Sequence, residues 1–312
     1  MNQTKKKNPL KRLLSMRGMG QVVTVTIGLI VLLVAFALIN PNFWSPTNRT
    51  NLLRQIAPIL IIGIAQSYVL ITGNIDLSIG SVVGMSTMVA ATLMSKGIMS
   101  PIPALLVTLL CCLLIGVLNG LLVAKFKLPP FIATLGTMTV ARGIAQLVNG
   151  NYNTDSIMKF YPEAAQTFKN VFYYGKTLGL YNGIWIAIIL WIVFNFLLSK
   201  TRTGRYIYAT GSNIDAARLS GVNVVSTTVI AYVVSAFCSF VVGIITCATV
   251  GQGTMDAGNS YEMYAVAASV IGGVSTLGGQ GILLGTVVGA AIWGTLQNGL
   301  QFAGAPVAIR NI

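Results

Sequence analysis

Apolar residues along this chain fall into long, nearly uncharged runs, with the polar residues gathered between them. The runs extend over about 22–39, 56–72, 79–95, 102–124, 131–148, 182–199, 226–249, 263–276 and 281–303. A bilayer core about 30 Å thick takes about 20 apolar residues per helical span, and most of the runs reach that length. The expected fold class is therefore all-α, a polytopic transmembrane helical bundle of about 9–10 membrane segments. Glycine is dense around residue 270, so the segments there are expected to be broken or re-entrant. Pro41-Asn-Phe-Trp-Ser-Pro46 ends the first helix and places aromatic rings at an interface. The gaps between runs reach about thirty residues at most, too short for a separate soluble domain. A single membrane domain over 1–312 follows.

Composition strengthens this reading. Hydrophobic residues make up 54% of the 312 and charged residues 8%, against about 25% charged in soluble domains. A net charge of +14 would point to nucleic acid in a soluble protein. Here the bases stand between apolar runs, so they are topology signals and contacts to anionic lipid headgroups, with no nucleic-acid partner. Residues 1–20 form a basic start (Lys5, Lys6, Lys7, Lys11, Arg12, Arg17). Ala35-Phe-Ala37 resembles a cleavage site, but the run before it exceeds the roughly 7–15 residues of a signal peptide. An uncleaved first helix with a cytoplasmic N-terminus is expected. Inner loops then hold Lys125 and Lys127, followed by Lys200, Arg202, Arg205 and Arg218. The long outer stretch 149–181 dilutes its bases with Asp155 and Glu163. Arg310 falls on the outer side, which points to a miscounted segment or a chain lacking one more helix after 312.

Cys111, Cys112, Cys238 and Cys247 lie inside apolar runs without C-x-x-C spacing, and there is no histidine. Those two facts argue against a metal site and leave no obvious catalytic base. No catalytic residue, metal ligand or bound cofactor is expected. The sequence has no phosphate-binding G-x-x-x-x-G-K-[ST] loop, so nucleotide-driven work would come from another polypeptide.

Three segments carry more than lipid solubility requires. Thr72-Gly-Asn-Ile-Asp-Leu-Ser-Ile-Gly80 sets Asn74, Asp76 and Ser78 between two apolar runs. Ionisable groups at membrane depth are costly unless partnered or facing a cavity. Asp76 or Ser78 could cap the next helix, or the stretch could be unwound beside a solute path. The second segment is the loop 200–223, where Asp215-Ala-Ala-Arg-Leu-Ser220 reads as a short helix. Ser212 or Asn213 would be its N-cap and Gly221 its stop. The third runs from Ile271 through the glycine pairs to Gly289. Small residues at fourth positions (Gly80/Gly84, Gly116/Gly120, Gly281/Gly285/Gly289) permit close helix approach. Gly73 with Gly80-Ser-Val-Val-Gly84 is echoed at the same spacing by Gly278 with Gly285-Thr-Val-Val-Gly289. Arg142, inside a run, is expected to reach an interface in preference to pairing with an acid such as Asp76.

Together these segments resemble the permease subunits of bacterial ABC sugar importers of the ribose/xylose/galactose branch. Gly73 to Gly80 is similar to that family's G-G-I-D-L-S-V-G signature, departing at Asn74 and Ile79. Gly204-Arg-Tyr-Ile-Tyr-Ala209 through Asn213, Ala216-Ala-Arg218 and Gly221 matches its cytoplasmic loop. Gly272 to Gly289, with Gln297-Asn-Gly-Leu300, matches its C-terminal region. The resemblance implies a permease in the bacterial plasma membrane, paired with itself or a homologue. It implies two cytoplasmic ATPase subunits and an extracytoplasmic sugar-binding protein as partners, with ATP bound by the ATPases. Asn74, Asp76 and Ser78 would lie near the path. Gly204, Arg205, Gly211, Asn213, Ala216, Ala217, Arg218, Leu219 and Gly221 would form the coupling loop. The alternative is an ion-coupled secondary carrier, with Asp76 as its coupling group.

Overall fold

The computed structural model describes residues 19–306. The basic N-terminal run up to Arg17, and Arg310, lie outside the described residues. The helices are α1 (Met19–Ile39), α2 (Pro46–Ile71), α3 (Ile79–Ser95), α4 (Pro101–Ala124), α5 (Pro130–Leu147), α6 (Pro162–Lys169), α7 (Asn182–Lys200), α8 (Arg202–Ser212), α9 (Ile214–Leu219), α10 (Val224–Val250), α11 (Tyr261–Ile271) and α12 (Leu283–Phe302). Among the described residues the only strands are two residues each, β1 (Lys176–Thr177) and β2 (Leu180–Tyr181), paired antiparallel. The chain is thus the expected all-helical membrane bundle, and each apolar run has its helix. α2 starts at Pro46, well before the expected 56. Ser45 caps it by accepting from the Asn48 amide at 3.3 Å, and Pro46 occupies its first turn. The polar residues of that first stretch had hidden its helical character.

The most apolar helix is not the most buried. α1 has the highest mean hydropathy of the long helices, yet only Val22 and Phe36 are buried among its 21 residues. α2 carries Arg, Asn and Gln, yet every residue from Leu60 to Ile71 is buried. In α3 every residue but Leu93 is buried. Lipid demands an apolar face, whereas the interior of a bundle can hold polar groups that partner one another. α2, α3 and α10 therefore form the centre, and α1, α4 and α7 the periphery. α4 shows the division on one helix. Ile102, Leu106, Leu110 and Leu114 face outward, while Ala104, Thr108, Cys112 and Ile115 are buried. Gly116 and Gly120 rest against Tyr232, Ala236 and Val229 of α10, the close approach their spacing predicted. Cys112, Cys238 and Cys247 are buried and Cys111 half-buried, all as free thiols.

The connections collect at two ends. At one, Gln21 of α1 reaches Gly273, and the Gly279 amide donates to the Ile71 carbonyl at 2.8 Å. At the other, Asn40 donates to the Phe302 carbonyl at 3.1 Å, and the Thr154 amide donates to the Gly253 carbonyl at 2.9 Å. There the Arg54 guanidinium sits between the rings of Tyr173 and Tyr181, 4.3 and 4.2 Å from their centroids. Arg142 does not pair with Asp76. Its Nη1 donates to the carbonyls of Met255 and Ala257, both at 2.9 Å, tying α5 to the 251–260 connection.

Candidate functional site

The stretch between α2 and α3 is a helix break, begun by Gly73 in the left-handed region. Asp76 is buried in it, and both of its carboxylate oxygens accept hydrogen bonds. Its Oδ1 accepts from the Ser78 amide at 2.9 Å and the Ser78 hydroxyl at 2.6 Å. Its Oδ2 accepts from the Ser235 hydroxyl of α10 at 2.7 Å. Ser78 Oγ accepts in turn from Asn119 Nδ2 at 2.9 Å, and Thr137 Oγ1 donates to Asn119 Oδ1 at 2.6 Å. The Tyr232 hydroxyl donates to the Ile75 carbonyl at 3.0 Å. One carboxylate thus pins the break to α4, α5 and α10. Neither Asp76 nor Ser78 bonds the first-turn amides of α3, so the simple capping role is not what they perform. Asn74 is placed differently. It is half-buried on a cavity of about 730 Å³ whose wall also includes Lys127, Asn213 and Arg218.

The loop 200–223 forms α8 and α9. Thr201 caps α8 through the Gly204 amide, and Asn213 caps α9 by accepting from the amides of Asp215 and Ala216 at 3.0 and 2.9 Å. Gly221 follows α9 with φ +81°. Of the two candidate caps, Asn213 is the one used. Arg205, Ala216, Arg218 and Leu219 are exposed, Leu219 at 89%. Arg218 lies 3.5 Å from Asp215 on the same turn. Ala217 faces inward onto Val222 and Val224. Gly204 lies against the Leu198 carbonyl and Gly211 against the Ile71 carbonyl, with no room for a side chain at either. The loop therefore has an outward, exposed face and an inward seat.

That seat joins both breaks in the bundle. The second break lies between α11 and α12, and the sequence echo places matching glycines in each. Gly73 and Gly278, both with positive φ, are packed backbone to backbone. The Tyr208 hydroxyl donates to the Gly281 carbonyl at 2.6 Å, while Gly211 touches Ile71 and Gly279. Gly80 and Gly84 meet the Gly258 and Ala257 carbonyls, and Gly285 and Gly289 meet those of Gly272 and Ala268. These four are close-approach glycines. Gly281 is not on the helix: it precedes α12, takes φ +145° in the break and rests against Val274. Sequence reading missed Asn119, Thr137, Ser235 and Tyr208. The available signal was a single polar residue inside an apolar run, or, for Tyr208, a hydroxyl within the loop.

The chain is similar to known transport proteins over most of its length. The ribose import permease protein RbsC of Haemophilus influenzae is 40% identical over 278 residues, covering 88% of this chain and 84% of that protein. The RbsC of Bacillus subtilis is 36% identical, covering 89% and 84%. The D-allose transport system permease protein AlsC of Escherichia coli is 32% identical, covering 88% and 82%. No solved structure matches. The profile of one family spans residues 48–312, which includes both breaks and the loop seated on them. The chain belongs to that family, the permease components described as branched-chain amino acid transport system permeases.

Proposed function

We propose that this chain is the membrane-spanning permease subunit of an ATP-driven (ABC) importer for a monosaccharide such as ribose, xylose or galactose. It resides in the bacterial plasma membrane with its N-terminus in the cytoplasm. ATP is hydrolysed by two cytoplasmic ATPase subunits docked on α8 and α9, and an external binding protein delivers the sugar. A second permease copy or a close homologue completes the path. The observation carrying this reading is the seat of α8, which contacts both helix breaks while α9 presents Arg218 and Leu219 outward. A push on α9 is then delivered to the ends of α2 and α12, because packed elements move as bodies and do not deform continuously. Relatives named as ribose and D-allose permeases support the sugar assignment.

Asp76 and Ser78 hold the first break, and Asn74 lines the cavity beside the loop. The ion-coupled carrier is disfavoured by membership of a transport-system permease family. The test is co-purification of the tagged chain in mild detergent. An ATPase is expected with the wild-type chain and lost on Arg218→Glu or Leu219→Asp. Sugar uptake by the purified chain alone, driven by an ion gradient, would establish the carrier instead.

A further inference from the structure

At the end of the bundle opposite α8, a cleft of about 320 Å³ opens between α2, α11 and α12. That is the lower end of the about 300–1,000 Å³ typical of small-molecule sites. One wall is aromatic. Tyr261 and Tyr264 lie 5.7 Å apart, and Tyr264 and Trp293 5.3 Å apart, each pair tilted by about 40° into one ledge. The other wall is amide-bearing, with Gln55, Gln297 and Gln301. Gln55 is held in place, since its Oε1 accepts from Asn298 Nδ2 at 3.3 Å. Asn298 is itself locked to Asn48 by two side-chain hydrogen bonds, Asn48 Nδ2 donating to Asn298 Oδ1 at 2.9 Å and Asn298 Nδ2 to Asn48 Oδ1 at 3.1 Å.

Three observations decide what this cleft is for. Gln55 lies nine residues into α2, about 14 Å from its start at 1.5 Å per residue, and is exposed. An exposed amide has hydrogen-bonding capacity that hydrocarbon cannot satisfy, so this face suits water or protein. The Trp293 indole nitrogen is buried with no partner among the described residues. Its own hydrogen bond is therefore not what holds the ring in the ledge. The chemistry is that of a carbohydrate site. Sugar C–H faces carry partial positive charge and rest on the negative face of aromatic rings. Glutamine amides both donate and accept, matching hydroxyls that do the same.

We propose that this cleft is a solute half-site in the outer part of the path, taking one monosaccharide ring against Tyr264 and Trp293 with its hydroxyls on Gln55, Gln297 and Gln301. The second permease copy closes the open side. This rests on the importer reading above and adds the residues that hold the sugar between delivery and release.

The experiment uses the complete complex with its binding protein in proteoliposomes, with D-ribose and D-galactose as probes, measuring sugar moved and ATP hydrolysed together. Trp293→Ala and Gln297→Ala are expected to lower sugar moved per ATP by about fivefold or more, the worth of one aromatic contact of about 1 kcal/mol. Trp293→Phe, which keeps a ring face, is expected to stay within about twofold on the same scale. If transport and hydrolysis fall in parallel, the residues are structural and the site is overturned. An unchanged ratio in both alanine variants overturns it equally. Should the wild-type complex move neither sugar with ATP, it is the sugar-importer reading that fails, before any variant is compared.

Discussion

Asp76 is the residue on which the two functional readings differ most sharply. Its carboxylate accepts three hydrogen bonds from buried donors, and no base is among its partners. Removing it leaves the Ser78 amide and the Ser235 hydroxyl without acceptors, each costing about 1–3 kcal/mol. Asp76→Ala is therefore expected to lower the melting midpoint of the detergent-purified protein markedly. Asp76→Asn keeps one carbonyl oxygen and should cost much less. An ion-coupling carboxylate predicts instead that both substitutions abolish transport and change stability little, so the unfolding midpoint of Asp76→Ala and the transport of Asp76→Asn separate the roles. Gln66 is the opposite case. It is fully buried in α2, and neither amide atom has a partner among the described residues. Gln66→Met removes those groups at similar volume, so a gain of about 1 kcal/mol or more is expected. It would appear as a midpoint higher by about 2–4 °C per kcal/mol. A lower midpoint would mean the amide is satisfied in the working protein.

Helix breaks set what each element does. α8 is joined to the second break by one hydroxyl, since Tyr208 donates to Gly281. Tyr208→Phe deletes that bond while keeping the ring. In the assembled complex it is expected to preserve ATPase co-purification and reduce sugar moved per ATP, because docking is retained and transmission weakened. Gly278→Ala attacks the same joint from the other side, adding a methyl where φ is +88° and the Gly73 backbone is in contact. Loss of ATPase binding in Tyr208→Phe would show that the bond shapes the docking face instead. Of the two loop helices only α9 was legible beforehand, because caps and stops are local; α8 was not legible as a helix. Asn213 and Gly221 act within a few residues of themselves. The pinning of Asp76 was not legible, because Asn119, Thr137 and Ser235 come from three other helices. A lone serine or asparagine in an apolar run looks the same whether or not a carboxylate waits opposite. The partners of Arg142 were not legible for a related reason. The carbonyls of Met255 and Ala257 that receive it belong to a turn whose position depends on the whole fold.

Across the whole molecule, the most apolar helix is among the least buried and the amide-bearing α2 is at the centre, so exposure alone does not mark a lipid face. α4 shows a lipid face by its leucine row, and the α2–α11–α12 face shows something else by its glutamines and tyrosines. The sequence already held this distinction in part. The nine runs anticipated nine of the twelve described helices, all but α6, α8 and α9, but which sides of α2 and α12 are wet depends on how they pack. A charge placed on each face tells them apart. Leu110 is 59% exposed in the middle of α4, and a lysine there would meet hydrocarbon at about 2.5–3.5 kcal/mol. Leu110→Lys is expected to reduce the amount of chain recovered in the membrane fraction. Gln55→Lys puts the same charge on the cleft face, where water or a second copy is the neighbour. Membrane recovery should then match the wild type while sugar uptake falls. Equal loss of recovery in both variants would mean that lipid covers the α2 face, and the path would have to run elsewhere. Recovery of Gln55→Lys with intact uptake would leave the face wet but unused by solute. Only the split outcome, inserted and inactive, fits a bundle whose lipid-facing periphery carries a polar seam toward a second permease.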